Sequence, residues 1–501
     1  MSLHSLAKAR ILWQPMQEQN MDTLISIAET VGIILLVILL FNLMIFVHEL
    51  GHFLAGKWRG AYIDRFQIWF GQPIWSKTYK GVRWGLGWLP LGGFVSLPQM
   101  EDMQQVEGKA DIPAGLKPLK PLDKAIIAAA GPLFSLLLAY VFAVVVWVVG
   151  KPVMEMPGTQ VGYIMPDSTA AAAGIHPGDR ILAIDGRPVT KWMGNMEGVR
   201  ELVAMSENEQ ILFTISRTDA NGENQTIEIA CGYKIPETPW WQRKALRQVG
   251  IMPAYPVIVG DIHPGSPAEK AGLQPGQQIT ALNGSPVYTP FAITQEIEKG
   301  SPLQLTLRSE DGTVTSTMLT PEIPQNWKGR EGAYPVLGFT WQQKDGKFEF
   351  EHPSPQSQVN QSLSWMQKTV AKLCAPGSSI GMEHLSGPVG IGAHMFQMLR
   401  SGDGLGWRLV LWFSVVLNVN LAILNLLPLP VLDGGHVVLS IAEKLRGKPV
   451  STKYLDKLMV AFFFILMALI IFVTLKDVGD LVDKSDAPAE LPPPVFATPS
   501  E

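Results

Sequence analysis

Hydrophobic residues gather in four long runs along the chain, separated by polar stretches. The runs cover residues 30–55, 125–149, 409–427 and 458–475. In the first run, 18 residues from Thr30 to Val47 carry no charge, which gives roughly 27 Å of helix at about 1.5 Å per residue, close to the thickness of a hydrocarbon core. The pattern therefore predicts four transmembrane helices, and the first run lacks the small-residue cleavage site of a signal peptide.

A period-2 alternation follows the first run and predicts β-strands near residues 63–71, 82–84 and 93–97. The aromatic side chains of this loop fit a hairpin that dips into the membrane interface, although an ordinary small sheet with an apolar face would have the same pattern. An exposed strand edge beside a catalytic site could hold a substrate segment extended by main-chain pairing. We expect Gly92, Gly93 and Phe94 to bind substrate there.

The long polar segment between the second and third runs contains an internal repeat. The 17 residues from Ala173 match those from Ala271 at an offset of 98, with glycines and prolines in register. Their order of strand, short helix and Asp-Gly or Asn-Gly turn resembles bacterial PDZ domains, which take an extended peptide as an added strand. The groove residues implied by this resemblance are Val161, Gly162, Tyr163 and Ile164, and Val259, Gly260, Asp261 and Ile262. A pair of bulky gate domains that bind no peptide is an equally good interpretation.

The distribution of charge predicts the orientation, because Lys and Arg are retained on the cytoplasmic side of a membrane. Residues 57–123 hold nine basic and six acidic groups, and residues 437–457 hold five basic and two acidic ones. These loops should be cytoplasmic, whereas both termini and residues 150–408 should face the opposite compartment. A net charge of −4 argues against a nucleic-acid surface. Cys231 and Cys374 both lie in the outer segment, where we expect two free or buried thiols rather than a bridge.

The end of the first run carries the sequence His48-Glu49-Leu50-Gly51-His52. On a helix, His48 and His52 share one face, so both imidazoles can bind one metal ion while Glu49 reaches a metal-bound water. Ionisable groups at the end of a membrane span are costly unless they are functional, which favours a catalytic zinc over a merely polar helix end. Zinc bound in this way would activate water for attack on a peptide carbonyl, with Glu49 as the base.

A catalytic zinc usually has three protein ligands and an open position, so a third ligand must come from another part of the chain. Within residues 409–442 the only ionisable side chains are Asp433 and His436, in a stretch where prolines and glycines break the helix at membrane depth. We predict Asp433 as the third ligand, and His436 would be the fourth ligand of a closed structural site. Asn420 and Asn425 would hold the substrate backbone, unless their amides only join neighbouring helices.

Several motifs occur together: HELGH in the first run, Gly131-Pro132 in the second, the tandem repeats, LSGPVGI before the third run, and NLLPLPVLDGGH at its end. In combination they resemble the site-2 protease family of intramembrane zinc metalloproteases, over about residues 28–476. The resemblance implies a Zn²⁺ enzyme of the bacterial inner membrane, with both termini and the repeats in the periplasm. It also implies single-span membrane protein substrates, an anti-sigma factor and signal-peptide remnants, cut by regulated intramembrane proteolysis in an extracytoplasmic stress response. Ser135 stands where the family has an asparagine, which leaves the role of that asparagine in substrate handling open here.

We therefore predict a multi-pass α-helical membrane protein with four transmembrane helices, a membrane-associated β-hairpin region and two periplasmic α+β PDZ domains, acting as a monomer in the lipid bilayer. The expected segments are a periplasmic tail 1–29, helix 30–56, hairpin loop and connector 57–123, helix 124–150, PDZ domains 155–235 and 250–325, an amphipathic membrane-surface region 326–407, a third helical region 408–436, a cytoplasmic loop 437–457, helix 458–475 and a periplasmic tail 476–501. A noncatalytic receptor for periplasmic peptides is the main alternative, and a metal transporter is a weaker one. Chelator-sensitive cleavage of a transmembrane substrate would separate the protease from both.

Overall fold

A computed structural model describes most of the chain. The described residues are 3–100, 116–153, 156–219, 221–342, 350–401, 404–448, 452–483 and 491–496. The chain forms two compact units, each built from more than one segment. Unit 1 comprises Met1–Pro152, Phe350–Gln367 and Ser386–Leu475, and unit 2 comprises Val153–Glu349, Lys368–Leu385 and Lys476–Glu501.

The α-helices of the described residues are numbered in chain order. They are α1 Leu3–Trp58, α2 Pro121–Val149, α3 Thr169–Ala172, α4 Val199–Met205, α5 Pro267–Lys270, α6 Pro290–Ile297, α7 Pro355–Cys374, α8 Pro388–Arg400, α9 Gly406–Asn425, α10 Asp433–Arg446 and α11 Thr452–Asp483.

The β-strands are numbered in the same way. They are β1 Arg65–Tyr79, β2 Val82–Ser96, β3 Lys151–Pro152, β4 Met156–Pro157, β5 Val161–Ile164, β6 Arg180–Ile184, β7 Arg187–Pro188, β8 Lys191–Met193, β9 Ile211–Thr218, β10 Asn224–Cys231, β11 Ile251–Pro253, β12 Val259–Ile262, β13 Gln278–Leu282, β14 Ser285–Pro286, β15 Leu303–Arg308, β16 Val314–Leu319, β17 Phe339–Trp341 and β18 Phe350–Glu351.

Four of the described helices are long and apolar enough to cross a membrane, which confirms the prediction from the hydrophobic runs. Their spanning parts are Leu24–Trp58, Pro121–Val149, Gly406–Asn425 and Lys457–Val482. Helix α1 begins at Leu3 and continues into the first span without interruption, so the segment expected as a periplasmic tail is helical from Leu3 onward. The predicted break after the third span is present, since α9 ends at Asn425 and α10 begins at Asp433.

Small residues let the spanning helices of unit 1 approach one another closely. A Cβ atom on Gly51 of α1 would lie 2.4 Å from the backbone oxygen of Ala130 on α2. Helix α2 also packs on α9 through a buried cluster that includes Ala139, Ala143 and Val415. Close backbone approach at small residues is a common way to hold membrane helices together.

The loop after α1 is a β-sheet, as the alternation of residues predicts, and β1 and β2 fold back on themselves within it. Residues 65–68 pair with 83–86 on one side and with 93–96 on the other, while 75–79 pair with the outer side of 82–86. The segment 93–96 is therefore at one edge of a four-segment sheet, whose spatial order is 93–96, 65–68, 82–86 and 75–79. The sheet packs on α1 through a small core that includes Phe53 and Phe66.

Unit 2 contains two copies of one arrangement, so the sequence repeat is also a structural repeat. Sheets of order β10-β9-β6-β7 and β16-β15-β13-β14 each surround a buried apolar core. Ser168 and Ser266 cap the matching short helices α3 and α5. Asp185 and Asn283 have φ of 48° and 50° and are each followed by a glycine of positive φ, which is the conformation that tight Asp-Gly and Asn-Gly turns require.

Each predicted groove strand pairs with another strand of the chain on one side, and its role as a peptide groove stays a prediction. Strand β5 (Val161–Ile164) pairs with β11, and Gln160 just before it bridges to Arg180 at the start of β6. Strand β12 (Val259–Ile262) likewise pairs with β17, with a bridge from Ile258 to β13. On the other side, hydrogen bonds to the chain occur at residues 159–161 and 257–259, at the start of each strand. The repeats also extend past the predicted ends at 235 and 325, because β11 and β17 complete them.

Candidate active site

Two elements that are distant in sequence bring three metal-binding side chains together inside unit 1. His48 and His52 lie one turn apart on α1, and Asp433 is the first residue of α10. The His48 Nε2 atom is 3.2 Å from Asp433 Oδ2, and the His52 Nε2 atom is 3.4 Å from Asp433 Oδ1. The two Nε2 atoms are 3.3 Å apart. Among the described residues, these three side chains form the group that could hold a metal ion.

The donor set fits zinc in both chemistry and spacing. Imidazole nitrogen and carboxylate oxygen are ordinary zinc ligands, and ligands at about 2.0–2.1 Å in a tetrahedron lie about 3.3 Å from one another. The three distances given above match that separation. Three ligands also leave a fourth position open, which is typical of a catalytic zinc rather than a structural one. His436 is buried and lines the same cavity, but it is not part of the three-residue group.

Both imidazoles are oriented by a contact to the ring nitrogen that faces away from the group. His52 Nδ1 donates to the backbone oxygen of Ile127 at 2.8 Å. His48 Nδ1 is 3.0 Å from the hydroxyl oxygen of Ser135. A hydrogen bond at Nδ1 fixes the tautomer that leaves Nε2 free to bind a metal. Helix α2 therefore supplies the support for both histidines.

Glycines leave the room that this arrangement needs. A Cβ atom on Gly131 would lie 2.2 Å from His52 Nε2 and 2.9 Å from His48 Nε2, inside the space that a ligand-bound ion would use. At the start of α10, Cβ atoms on Gly434 and Gly435 would lie 2.2 Å and 2.1 Å from the backbone oxygens of Leu426 and Leu429. The broken stretch after α9 can therefore fold tightly against the helix that carries Asp433.

A cavity of about 360 Å³ opens beside the three side chains. Its wall includes Glu49, the strand segment with Gly92, Gly93 and Phe94, and Asn425. A Cβ atom on Gly93 would lie 3.3 Å from Glu49 Cγ, and Val95 lines the same cavity. The edge of the β-sheet and the carboxylate next to the histidines thus face one space.

One residue predicted to bind substrate lies elsewhere. Asn420 does not line the cavity, whereas Leu421 and Asn425 do. The reason is helical geometry, because Leu421 and Asn425 are one turn apart and share a face, and Asn420 is turned by about 100° from Leu421. Asn418 is buried instead and donates to the backbone oxygen of Ser414 in its own helix at 2.8 Å.

The sequence as a whole matches a known peptidase family. The model of peptidase family M50 matches residues 36–469 of the chain. The chain belongs to peptidase family M50. Its M50 relatives include the regulator of sigma E protease of Haemophilus influenzae, which is 30% identical over 421 residues, covering 82% of this chain and 90% of that protein. The protease RseP of Yersinia pestis is 30% identical over 437 residues, covering 83% and 91%. Membership of M50 and the names of these relatives make the chain a zinc metalloprotease of the site-2 protease type.

Sequence reasoning missed the contacts that support this M50 site. Ser135 was singled out only as a departure from the family pattern, yet its hydroxyl reaches His48. The signal was present, because Gly131 and Ser135 are one helical turn apart and share the face of α2 that meets α1. The tie between Trp69 Nε1 on β1 and Asn42 Oδ1 on α1, at 2.6 Å, had no signal in the sequence. It fixes the sheet to a polar residue inside the first span.

Proposed function

We propose that this M50 metalloprotease cleaves transmembrane segments of single-span membrane proteins within the bilayer. The observation that carries the proposal is the meeting of His48, His52 and Asp433 beside Glu49, where both histidines and Glu49 lie on a helix long and apolar enough to span a membrane. A peptide bond hydrolysed at this group would be cut at membrane depth. An anti-sigma factor and remnant signal peptides are the substrate classes we propose, and the orientation is the one predicted from loop charge, with the repeats in the periplasm of an inner-membrane protein.

Each side chain of the site has a proposed role. His48, His52 and Asp433 would hold Zn²⁺, which when bound supplies a Lewis acid that lowers the pKa of a water and polarises the scissile carbonyl. Glu49 takes a proton from the attacking water and returns it to the leaving amine nitrogen.

The edge of the β-sheet is the proposed binding site for the unwound substrate. Residues 93–96 pair on one side with 65–68, and within the described residues no strand pairs with their other side. Gly92, Gly93 and Phe94 line the cavity next to Glu49. A substrate strand added here would be extended, so its peptide bond would be free of helical shielding. Asn425, on the cavity wall, would donate to the substrate backbone.

The two repeats are proposed to act as PDZ domains on the periplasmic side. Their paired short helices and turns agree with that resemblance. Strands β5 and β12 pair with β11 and β17 on one side, and the proposed place for an added peptide strand is their other side, next to the predicted groove residues. A pair that excludes bulky substrates without binding a tail remains the alternative arrangement for the same domains.

The proposal can be tested with purified protein and a single-span model substrate. Glu49→Gln should retain zinc and lose cleavage, because the carboxamide cannot take the proton. Asp433→Ala should lose zinc, while His436→Ala should retain it. Zinc content by elemental analysis and cut positions by mass spectrometry are the measurements. Cleavage by Glu49→Gln, or by wild-type protein stripped of metal with a chelator, would contradict the proposal.

A further inference from the structure

The chain carries a proline-rich segment that is bound to its own second repeat. Residues Leu491–Phe496 have the sequence Leu-Pro-Pro-Pro-Val-Phe. Four hydrogen bonds join them to the short helix Gln325–Trp327. They run from Gln325 N to Val495 O at 2.8 Å, from Val495 N to Asn326 Oδ1 at 2.9 Å, from Asn326 Nδ2 to Pro493 O at 2.8 Å and from Trp327 Nε1 to Pro492 O at 2.7 Å.

The segment is also held by apolar contacts. Phe496 is only 6% exposed, and its ring lies 2.9 Å from the Cβ position of Gly338, in the turn before β17. Trp327 is 5% exposed and packs on Tyr334 with ring centroids 5.2 Å apart. The neighbouring side chain of Val495 is 54% exposed. The segment thus has one buried aromatic anchor, and its carbonyl oxygens at Pro492, Pro493 and Val495 accept hydrogen bonds from the repeat.

These features are the chemistry by which proteins recognise polyproline segments. Three successive prolines hold φ near about −65° and favour an extended polyproline II helix, whose carbonyls have no internal partners. Aromatic side chains and donors such as the indole N–H of tryptophan bind such a helix at little entropic cost, because its conformation is already fixed. Here the donors are the side-chain amide of Asn326 and the indole N–H of Trp327.

We propose that the second repeat carries a polyproline-binding site, formed by Gln325–Trp327, Tyr334 and Gly338, whose resident ligand is the chain's own segment Leu491–Phe496. A second set of contacts holds the chain upstream of Leu491, where residues 476–480 bind the linker between the repeats. Near the end of α11, Asp477 and Asp480 pair with Arg243 in the linker between the repeats, and Lys476 donates to the backbone oxygen of Gln242 at 3.0 Å. The C-terminal stretch thereby fastens the linker and the second repeat together.

Hydrogen exchange on the full-length protein tests this site directly. In Phe496→Ala the buried anchor is lost, so the amides of Gln325 and Val495 should exchange on the order of tenfold faster or more. Val495→Ala is the matched control, because that side chain is exposed, and it should exchange like wild type. Unchanged exchange in the strands β13 and β15 of the same repeat would show that the repeat is folded.

A second variant and a peptide separate recognition from a loss of folding. Trp327→Phe keeps the ring and removes the donor to Pro492, so it should also speed exchange at Val495. A synthetic peptide with the sequence of Leu491–Phe496, added to Phe496→Ala, should restore protection at Gln325 in a saturable way. Wild-type exchange in Phe496→Ala, or no protection from the peptide while β13 and β15 remain protected, would overturn the proposal. None of these measurements depends on proteolysis.

Discussion

At the scale of single residues, the site depends on the absence of a side chain at Gly131. A methyl group there would stand within contact distance of both Nε2 atoms. Gly131→Ala should therefore weaken zinc affinity by more than about 100-fold, beyond the 10–100-fold typical of changes to the partners of metal ligands. Zinc affinity measured by competition with a chromophoric chelator tests this. Gly32→Ala on α1, where a Cβ meets nothing within 4 Å, should bind zinc like wild type.

Ser135 gives a second prediction at this scale. Ser135→Ala removes the hydroxyl that orients His48, so zinc affinity should fall about 10–100-fold. Ser135→Thr keeps a hydroxyl and should recover most of the affinity. Ser414→Ala is a suitable control, because Ser414 is equally buried but donates only to the backbone oxygen of Val410. Equal affinities for Ser135→Ala and Ser414→Ala would show that the contact to His48 has no orienting role.

At the scale of elements, the two repeats use different chemistry at one position. In the first repeat, buried Asp179 accepts two hydrogen bonds of 2.7 Å from Arg217, and this pairing raises the pKa of Arg217. In the second repeat, Gln277 occupies the matching position and donates to Ser309 at 3.3 Å. The first repeat thus has a charged pair, Asp179 and Arg217, where the second repeat has a neutral pair, Gln277 and Ser309.

This difference predicts unequal sensitivity of the repeats to substitution. Arg217→Ala leaves a buried carboxylate without its cation and should lower the free energy of unfolding of the first repeat by about 3 kcal/mol. Ser309→Ala should cost the second repeat no more than about 1 kcal/mol. Hydrogen exchange of the β9 and β15 amides in increasing urea measures each repeat separately. A larger effect of Ser309→Ala would contradict the assignment.

The elements also show what sequence patterns can and cannot give. The His48–His52 spacing and the broken stretch before Asp433 follow from helical periodicity and from proline and glycine chemistry, so both were predictable. The pairing of β5 with β11 was not, because β11 is separated from the repeat motif by a loop of unremarkable composition. Strand partners depend on tertiary packing, which a local alternation of residues does not encode.

At the scale of the whole molecule, the two cysteines should differ in reactivity. Cys231 is buried in the core of the first repeat, and Cys374 is exposed at the end of α7; both are free thiols. Burial raises the pKa of the Cys231 thiol, so less of it is the reactive thiolate at pH 8. Native protein should label quickly with maleimide at Cys374 only, and denatured protein at both. Rapid native labelling of Cys231, located by peptide mapping, would contradict its burial.

The overall architecture was predictable to the extent that it rests on hydrophobicity and repetition. Four spans and two repeats follow from the free energy of burying apolar residues and from matching glycines and prolines. The binding of Leu491–Phe496 to the second repeat was not predictable, because it joins residues far apart in sequence through hydrogen bonds that no periodicity signals. The extension of α1 to Leu3 was not predicted, because the first residues show no clear helical period.

The division of the site between α1 and the start of α10 has a consequence during synthesis. During synthesis, a nascent chain with only its first two spans inserted contains His48 and His52 but not yet Asp433. Two ligands bind zinc more weakly than three, so an unfinished or truncated chain would bind little zinc and would not hydrolyse peptides. Hydrolytic competence would then arise only after Asp433 has been synthesised, which would spare neighbouring membrane proteins from premature cleavage.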